Sequence, residues 1–125
     1  MGPEALPRRN ACLDAGARGG CAALPLGLTD AYRLHHPEPG RYTWWDYRAG
    51  NFHKNFGMRI DHLLATQAVA ARTVWAEIDR EARKGKPLPS DHAPLVIDLD
   101  EPGHPFDAGW TSAERRIAAR RGAGR

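Results

Sequence analysis

PSDHAPLVIDLD, residues 89–100, sets a carboxylate and an imidazole side by side between Pro89 and Pro94, then runs straight into apolar residues. LVIDLD at its end reads as a strand, apolar enough for a central place in a sheet. Asp91 and His92 then sit on the loop that feeds this strand, where a sheet holds loop side chains in position to converge on a site. A carboxylate suits hard divalent cations, and histidine is the side chain that ordinarily titrates near neutrality, so the pair has the chemistry for metal-assisted hydrolysis. The plainer alternative is that Asp91 caps a turn and His92 is an exposed decoration of it.

Outward from this stretch the chain alternates short strands with loops. RYTWWDYR (41–48) is rich in residues that fit a pleated surface, and its period of two puts Tyr42 and Trp44 on one face, Thr43 and Trp45 on the other. AGNFHKNFG (49–57) reads as a polar loop leading into a second strand, MRIDHLLAT (58–66), where Met58, Ile60 and His62 alternate with Arg59 and Asp61. ARTVWAEIDR (71–80) reads as a third strand, with helix as its competitor because good helix formers surround it. GLTDAYRLHHPEPGR (27–41) holds a short helix or turn that closes at Pro37. REARKGKPLPSDH (80–92) is a basic, proline-broken loop, and EPGHPFDAGW (101–110) is irregular. TSAERRIAARR (111–121) restarts a helix, with Thr111 and Glu114 at capping-box spacing.

The bulk properties fit one compact domain. The chain has 125 residues, 42% hydrophobic and 26% charged, so wholesale disorder is not expected, and 13 Gly with 10 Pro imply many turns. No apolar run approaches the ~20 residues of a membrane helix. The start, MGPEALPRRNACLDAG, lacks the apolar core of a secretory signal, so the expected location is cytoplasmic. The net charge of +3 suits a polyanionic partner without requiring one. Cys12 and Cys21 have no nearby histidine and no zinc-ligand spacing, which leaves free thiols as the reading. Residues 1–23 have neither helical nor strand periodicity and are expected to be an irregular leader.

Other side chains carry competing readings. Asp61 lies among apolar neighbours, and a carboxylate there needs a partner if buried. It either orients a histidine, as the third group of a catalytic triad does, or makes an ordinary salt bridge to a base such as Arg59. Tyr42, Trp44, Trp45 and Tyr47, interleaved with Arg41 and Arg48, stack on sugars or bases, or pack a sheet; Trp45 is assigned mainly to packing and Trp44 is left open. The arginines at 115–121 form a solvated helix face or contact phosphate.

Taken in order, LTDAYR (28–33), YTWWDYR (42–48), NFGMRID (55–61) and PSDHAPLVIDL (89–99) resemble the C-terminal half of the exonuclease III family, within the endonuclease/exonuclease/phosphatase superfamily, over about residues 24–100. That resemblance implies an α/β fold, the C-terminal half of a four-layered α/β sandwich, mostly strands with long loops and a few short helices. It also implies a monomeric Mg²⁺-dependent phosphodiesterase, with Mn²⁺ as the substitute ion, acting on double-stranded DNA as an abasic-site endonuclease and 3′-to-5′ exonuclease in base-excision repair. By the same resemblance His92 is the histidine at the scissile phosphate and a metal-site residue, Asp61 the aspartate that orients it, and Asp91 a metal-site carboxylate. Trp44 lines the pocket for an extrahelical abasic sugar with Met58 and Ile60 beside it; Asn55 and Arg59, from their place near that recess rather than from the resemblance, are the candidate contacts to the DNA backbone.

Full family members are longer, and their N-terminal half supplies a metal-binding Glu, a catalytic Tyr, and an Asp with an Asn that activate water. No segment here corresponds to these. The expectation is therefore a truncated member with impaired or no activity by itself, and with sheet surface left uncovered so that it self-associates. A catalytically inactive fragment that retains DNA binding is the alternative. The layout expected is a leader over 1–23, the family segment over 24–100, and a Pro/Gly-rich tail over 101–125 that ends in a short basic helix.

Overall fold

The computed structural model describes residues 27–124, so the leader assigned to 1–23, with Cys12 and Cys21, lies outside the described residues. The elements are β1 (Thr29–Asp30), α1 (Asn51–Lys54), β2 (Leu64–Ala65), α2 (Gln67–Ala70), β3 (Thr73–Ile78), β4 (Leu95–Leu99) and α3 (Trp110–Ala123), with 3-10 turns at Arg48–Gly50 and Arg80–Arg83. Strands and helices are mixed, and the sheets are small: β1 pairs with β2 and β3 with β4. Among the described residues no helix is long and apolar enough to cross a membrane.

The described residues divide into two compact units. The first takes in 27–37, 62–76 and 97–102. Its antiparallel β1–β2 pair sets Thr29 opposite Ala65 and Asp30 opposite Leu64. Thr66 opens α2 by accepting the Val69 amide on its side chain, which supplies one of the backbone partners a helix start lacks. Ala31, Ala65 and Ala70 are buried together under Leu34, Leu63, Val69 and Ile97, a small-residue core that lets short elements approach closely.

The second unit takes in 38–61, 77–96 and 103–124, and its core is aromatic. Trp45 is fully buried. Phe52 stands edge-on to it at 5.3 Å and Trp110 tilts against it at 6.0 Å. The polar ends of these rings are satisfied, as burial requires: Trp45 Nε1 donates to Asn55 Oδ1 and Trp110 Nε1 to the Ile78 carbonyl. Arg80 lies 3.9 Å over the Phe52 ring and donates to the Phe52 carbonyl at 2.6 Å; Arg83 donates to the Trp45 carbonyl at 3.1 Å. Burial, ahead of repulsion from Arg116, pushes the Arg80 guanidinium down to about 10.

Several segments differ from the sequence expectation for identifiable reasons. YTWW is extended but pairs only through isolated bridges at Trp44, and in the RID segment regular pairing is confined to β2. LVIDLD becomes β4 of a two-stranded sheet rather than a central strand among the described residues. The loop expected at 49–57 contains α1, because Ala49 and Gly50 turn left-handed (φ 58° and 65°) and aim Phe52 into the aromatic core. In the expected C-terminal helix, Thr111 is not the cap. The helix starts at Trp110 behind Gly109 (φ 83°), and Glu114 reaches Arg41 instead of closing a capping box, since burial of Trp110 fixes the start. The strand at Thr73–Ile78 formed where helix had competed.

Trp45→Ala is expected to lower unfolding stability by about 3–5 kcal/mol, the usual effect of emptying a large aromatic site. A Cβ on Gly57 would stand 2.5 Å from the Trp44 carbonyl oxygen and 2.7 Å from Trp45 Cδ1. Gly57→Ala should therefore lower stability by about 1–3 kcal/mol. Urea midpoints unchanged in both variants would contradict this core.

Candidate active site

The site is assembled around one extended residue. Trp44 bridges Met58 on one side and His92 on the other, both antiparallel. Trp44 N donates to the Met58 carbonyl at 3.0 Å and Met58 N returns a bond to the Trp44 carbonyl at 2.9 Å. On the other flank Trp45 N donates to the Asp91 carbonyl at 3.2 Å, and Ala93 N to the Thr43 carbonyl at 2.7 Å. Residues distant in sequence, MRID and SDHA, are thereby laid along the two edges of YTWW.

Period two then decides which side chains face where. Thr43 and Trp45 turn inward and are fully buried, while Trp44 is half-buried. Thr43 Oγ1 accepts the backbone amides of Ile60 and Asp61 at 3.1 and 3.0 Å, fixing the chain where the aspartate leaves it. Sequence reasoning missed this role; the available signal was a hydroxyl on the face otherwise assigned to packing. Ser90 Oγ likewise accepts the His92 amide at 3.1 Å, and the Tyr47 hydroxyl donates to the Pro89 carbonyl, so the SDHA turn is tied at both ends.

The result brings Asp61, Asp91, His92 and Trp44 together. His92 Nδ1 lies 2.7 Å from Asp61 Oδ2. An ionised carboxylate only accepts, so Nδ1 carries the proton of this bond and Nε2 is left for other chemistry. Asp91 Oδ1 lies 4.0 Å from His92 Nε2, and Asp91 Oδ2 accepts the indole N–H of Trp44 at 3.0 Å. His92 and Asp61 are each nearly half exposed, open to a ligand. Asp91 is the carboxylate suited to a hard cation, although among the described residues no group of three or more His, Cys, Asp or Glu gathers to hold a metal by itself.

The remaining candidates fall into two kinds. Met58 and Ile60 are exposed by about half although apolar, and both precede Asp61 in the MRID segment. Asn55 is occupied within the fold: its amide donates to the Gly40 carbonyl at 2.8 Å and accepts from Trp45 Nε1 at 3.0 Å. Its left-handed backbone (φ 57°) closes α1. Arg59 is partly buried between Met58 and Ile60 in sequence.

Residues 5–92 match the endonuclease/exonuclease/phosphatase family, more than half of the chain. The chain belongs to that family. The family match thus includes YTWW, RID and SDH, and extends over residues 5–23. Exodeoxyribonuclease III of Haemophilus influenzae is 41% identical over 93 residues, covering 65% of this chain and 34% of that protein. A 3′-5′ exonuclease from Neisseria meningitidis superposes with a TM-score of 0.59 at 46% identity, over 62% of this chain and 30% of the other. An AP endonuclease from Archaeoglobus fulgidus does so with a TM-score of 0.58 at 40% identity, over 62% and 30%. The chain spans about a third of the length of these relatives. The described α/β structure is thus part of the fold that these family nucleases share.

Thr43→Val keeps the shape of the side chain while removing the acceptor shared by two backbone amides. It should lower stability by about 1–3 kcal/mol in urea titration, because a buried donor then loses its partner. A midpoint within error of the parent chain would show that Thr43 does not hold Asp61 in place.

Proposed function

We propose that this chain carries the phosphate-handling wall of a Mg²⁺-dependent phosphodiesterase that acts on double-stranded DNA, as an abasic-site endonuclease and 3′-to-5′ exonuclease in DNA repair. The observation that carries the reading is the 2.7 Å His92–Asp61 bond beside Asp91 on the same turn. The names of the relatives support it, since they include an exodeoxyribonuclease III and AP endonucleases.

Hydrolysis of a phosphodiester needs neutralised charge on the phosphoryl oxygens, an activated water and a stabilised leaving oxygen. In this reading Asp61 holds the His92 ring in one orientation and stabilises its charged form. His92 Nε2 meets the scissile phosphate, polarising it or moving a proton. Asp91 is one ligand of the cation: Mg²⁺ commonly binds through one or two carboxylates and keeps several waters, which matches a single carboxylate near a histidine. When bound, the ion (Mn²⁺ as substitute) supplies Lewis-acid charge. Trp44, Met58 and Ile60 offer exposed apolar surface to an extrahelical sugar, and a missing base lowers the cost of flipping it out. Arg59 and Asn55 contact the backbone; for Asn55 this requires giving up a bond within the fold. The working form is a cytoplasmic monomer.

A second reading is an inactive chain that still binds DNA. It is favoured by the absence of a three-residue metal cluster among the described residues. Incubating the 125-residue chain with abasic duplex DNA and Mg²⁺ separates the two. Slow incision is expected, lost with EDTA and reduced by about 10²-fold or more in His92→Ala and Asp61→Asn, the scale of general acid–base catalysis. Incision unchanged in His92→Ala would overturn the assignment. No incision, together with salt-sensitive duplex binding, would establish the second reading.

A further inference from the structure

The helix α3 lies entirely beyond the family match, which ends at residue 92. Its first turn is anchored in the second unit. Trp110 and Ala113 are buried, Trp110 Nε1 holds the Ile78 carbonyl at 2.8 Å, and Arg41 stacks 5.4 Å from the Trp110 ring. Beyond that turn the helix buries little. Arg115, Arg116, Arg120 and Arg121 are all exposed, and none of these four is held in an ion pair among the described residues. The one acid on the helix, Glu114, is drawn away to Arg41, with Nη2–Oε1 at 3.4 Å.

Such a helix is poorly explained by its own stability. Arg120 and Arg121 in the last turn complement the helix dipole, but Arg115 and Arg116 lie outside that turn and gain nothing from it. Arg116 and Arg120 are four residues apart, a like-charge spacing that is mildly unfavourable. The field of Arg116 also reaches the buried Arg80 and, after burial itself, is the next cause of its weakened proton affinity. Positive charge is therefore concentrated on one element anchored through its first turn, whose single acid, Glu114, is engaged by Arg41. Arg121 further lines an open groove of about 560 Å³ with Gly40, Asn55, Glu114 and Ile117.

We propose that α3 is a duplex-DNA docking surface, in which the exposed guanidinium groups of Arg115, Arg116, Arg120 and Arg121 contact backbone phosphates independently of sequence. The partner rests on the proposed function, because Asp61, Asp91, His92 and Trp44 lie in the same compact unit as α3. The surface supplies affinity and leaves the chemistry to that site. Guanidinium suits phosphate because its donors form a planar fork, and each neutralised phosphate releases condensed counterions.

The test is the salt dependence of binding to a fluorescein-labelled undamaged duplex in EDTA, where no incision occurs. Replacing all four arginines by glutamine preserves helix propensity and touches no core residue. The slope of log K against log salt should become shallower by about 3 to 4, near 0.9 per lost phosphate contact, with the urea midpoint unchanged. The corresponding four-lysine variant, which keeps the charges, should retain most of the slope. Arg72→Gln, at an exposed arginine held by Asp100, should leave it unaltered, and because binding is read without incision, failure of the catalytic reading and failure of this surface are separately visible. An unchanged slope in the glutamine variant, or equal loss in the lysine variant, would overturn the proposal. So would binding of phosphatidylserine vesicles that depends on the four arginines while duplex binding does not.

Discussion

The candidate site depends on the position of Trp44 between two other segments. An extended segment has two hydrogen-bonding edges, and here Trp44 bonds Met58 on one while its neighbours Thr43 and Trp45 bond Ala93 and Asp91, on either side of His92, on the other. Asp61 follows Met58 closely and Asp91 precedes His92, so satisfying the backbone of YTWW gathers carboxylates and imidazole that are 31 residues apart in the case of Asp61 and His92. The arrangement uses main-chain groups, which must be paired once water is excluded, to set side-chain geometry. That is why short, isolated bridges suffice where a longer ladder would be expected.

Opposite faces of the same segment have opposite tasks. Trp45 is buried among Phe52, Trp110 and the stacked Arg80 and Arg83, and this packing holds the segment rigid. Trp44 turns outward and spends its indole N–H on Asp91, orienting a carboxylate at the site. Buried arginines are an unusual way to fill a core. They work here because flat guanidinium groups stack on rings while donating to the Trp45 carbonyl and to the Phe52 carbonyl, which also accepts the Asn55 amide.

Much of this was legible in the sequence, and the remainder was hidden for physical reasons. The inward and outward faces of YTWW follow from period two, and the strand at Thr73–Ile78 from its Thr-Val-Trp core. The grouping of RID, YTWW and SDHAP came from resemblance, since pairing of segments 31 residues apart leaves no local signature. Thr43 was overlooked because a threonine in a strand usually signals only propensity, and its two accepted amides depend on the return of a distant chain. The position of α1 was hidden by Ala49, whose left-handed backbone (φ 58°) is a conformation that alanine composition does not announce. The exposed Met58 and Ile60 run against the expectation that apolar residues face inward, and they lie outside the regular pairing at Leu64–Ala65.

The central claim is that the edges of YTWW force Asp61 and His92 into one hydrogen bond. Long-range ¹H–¹⁵N NMR of the His92 ring, recorded at a pH where the imidazole is neutral, tests it most directly. The parent chain should show the Nδ1–H tautomer, and in Asp61→Ala the Nδ1 proton should move upfield and the tautomer preference relax. A ring that is predominantly the Nε2–H tautomer and indifferent to Asp61→Ala would contradict it.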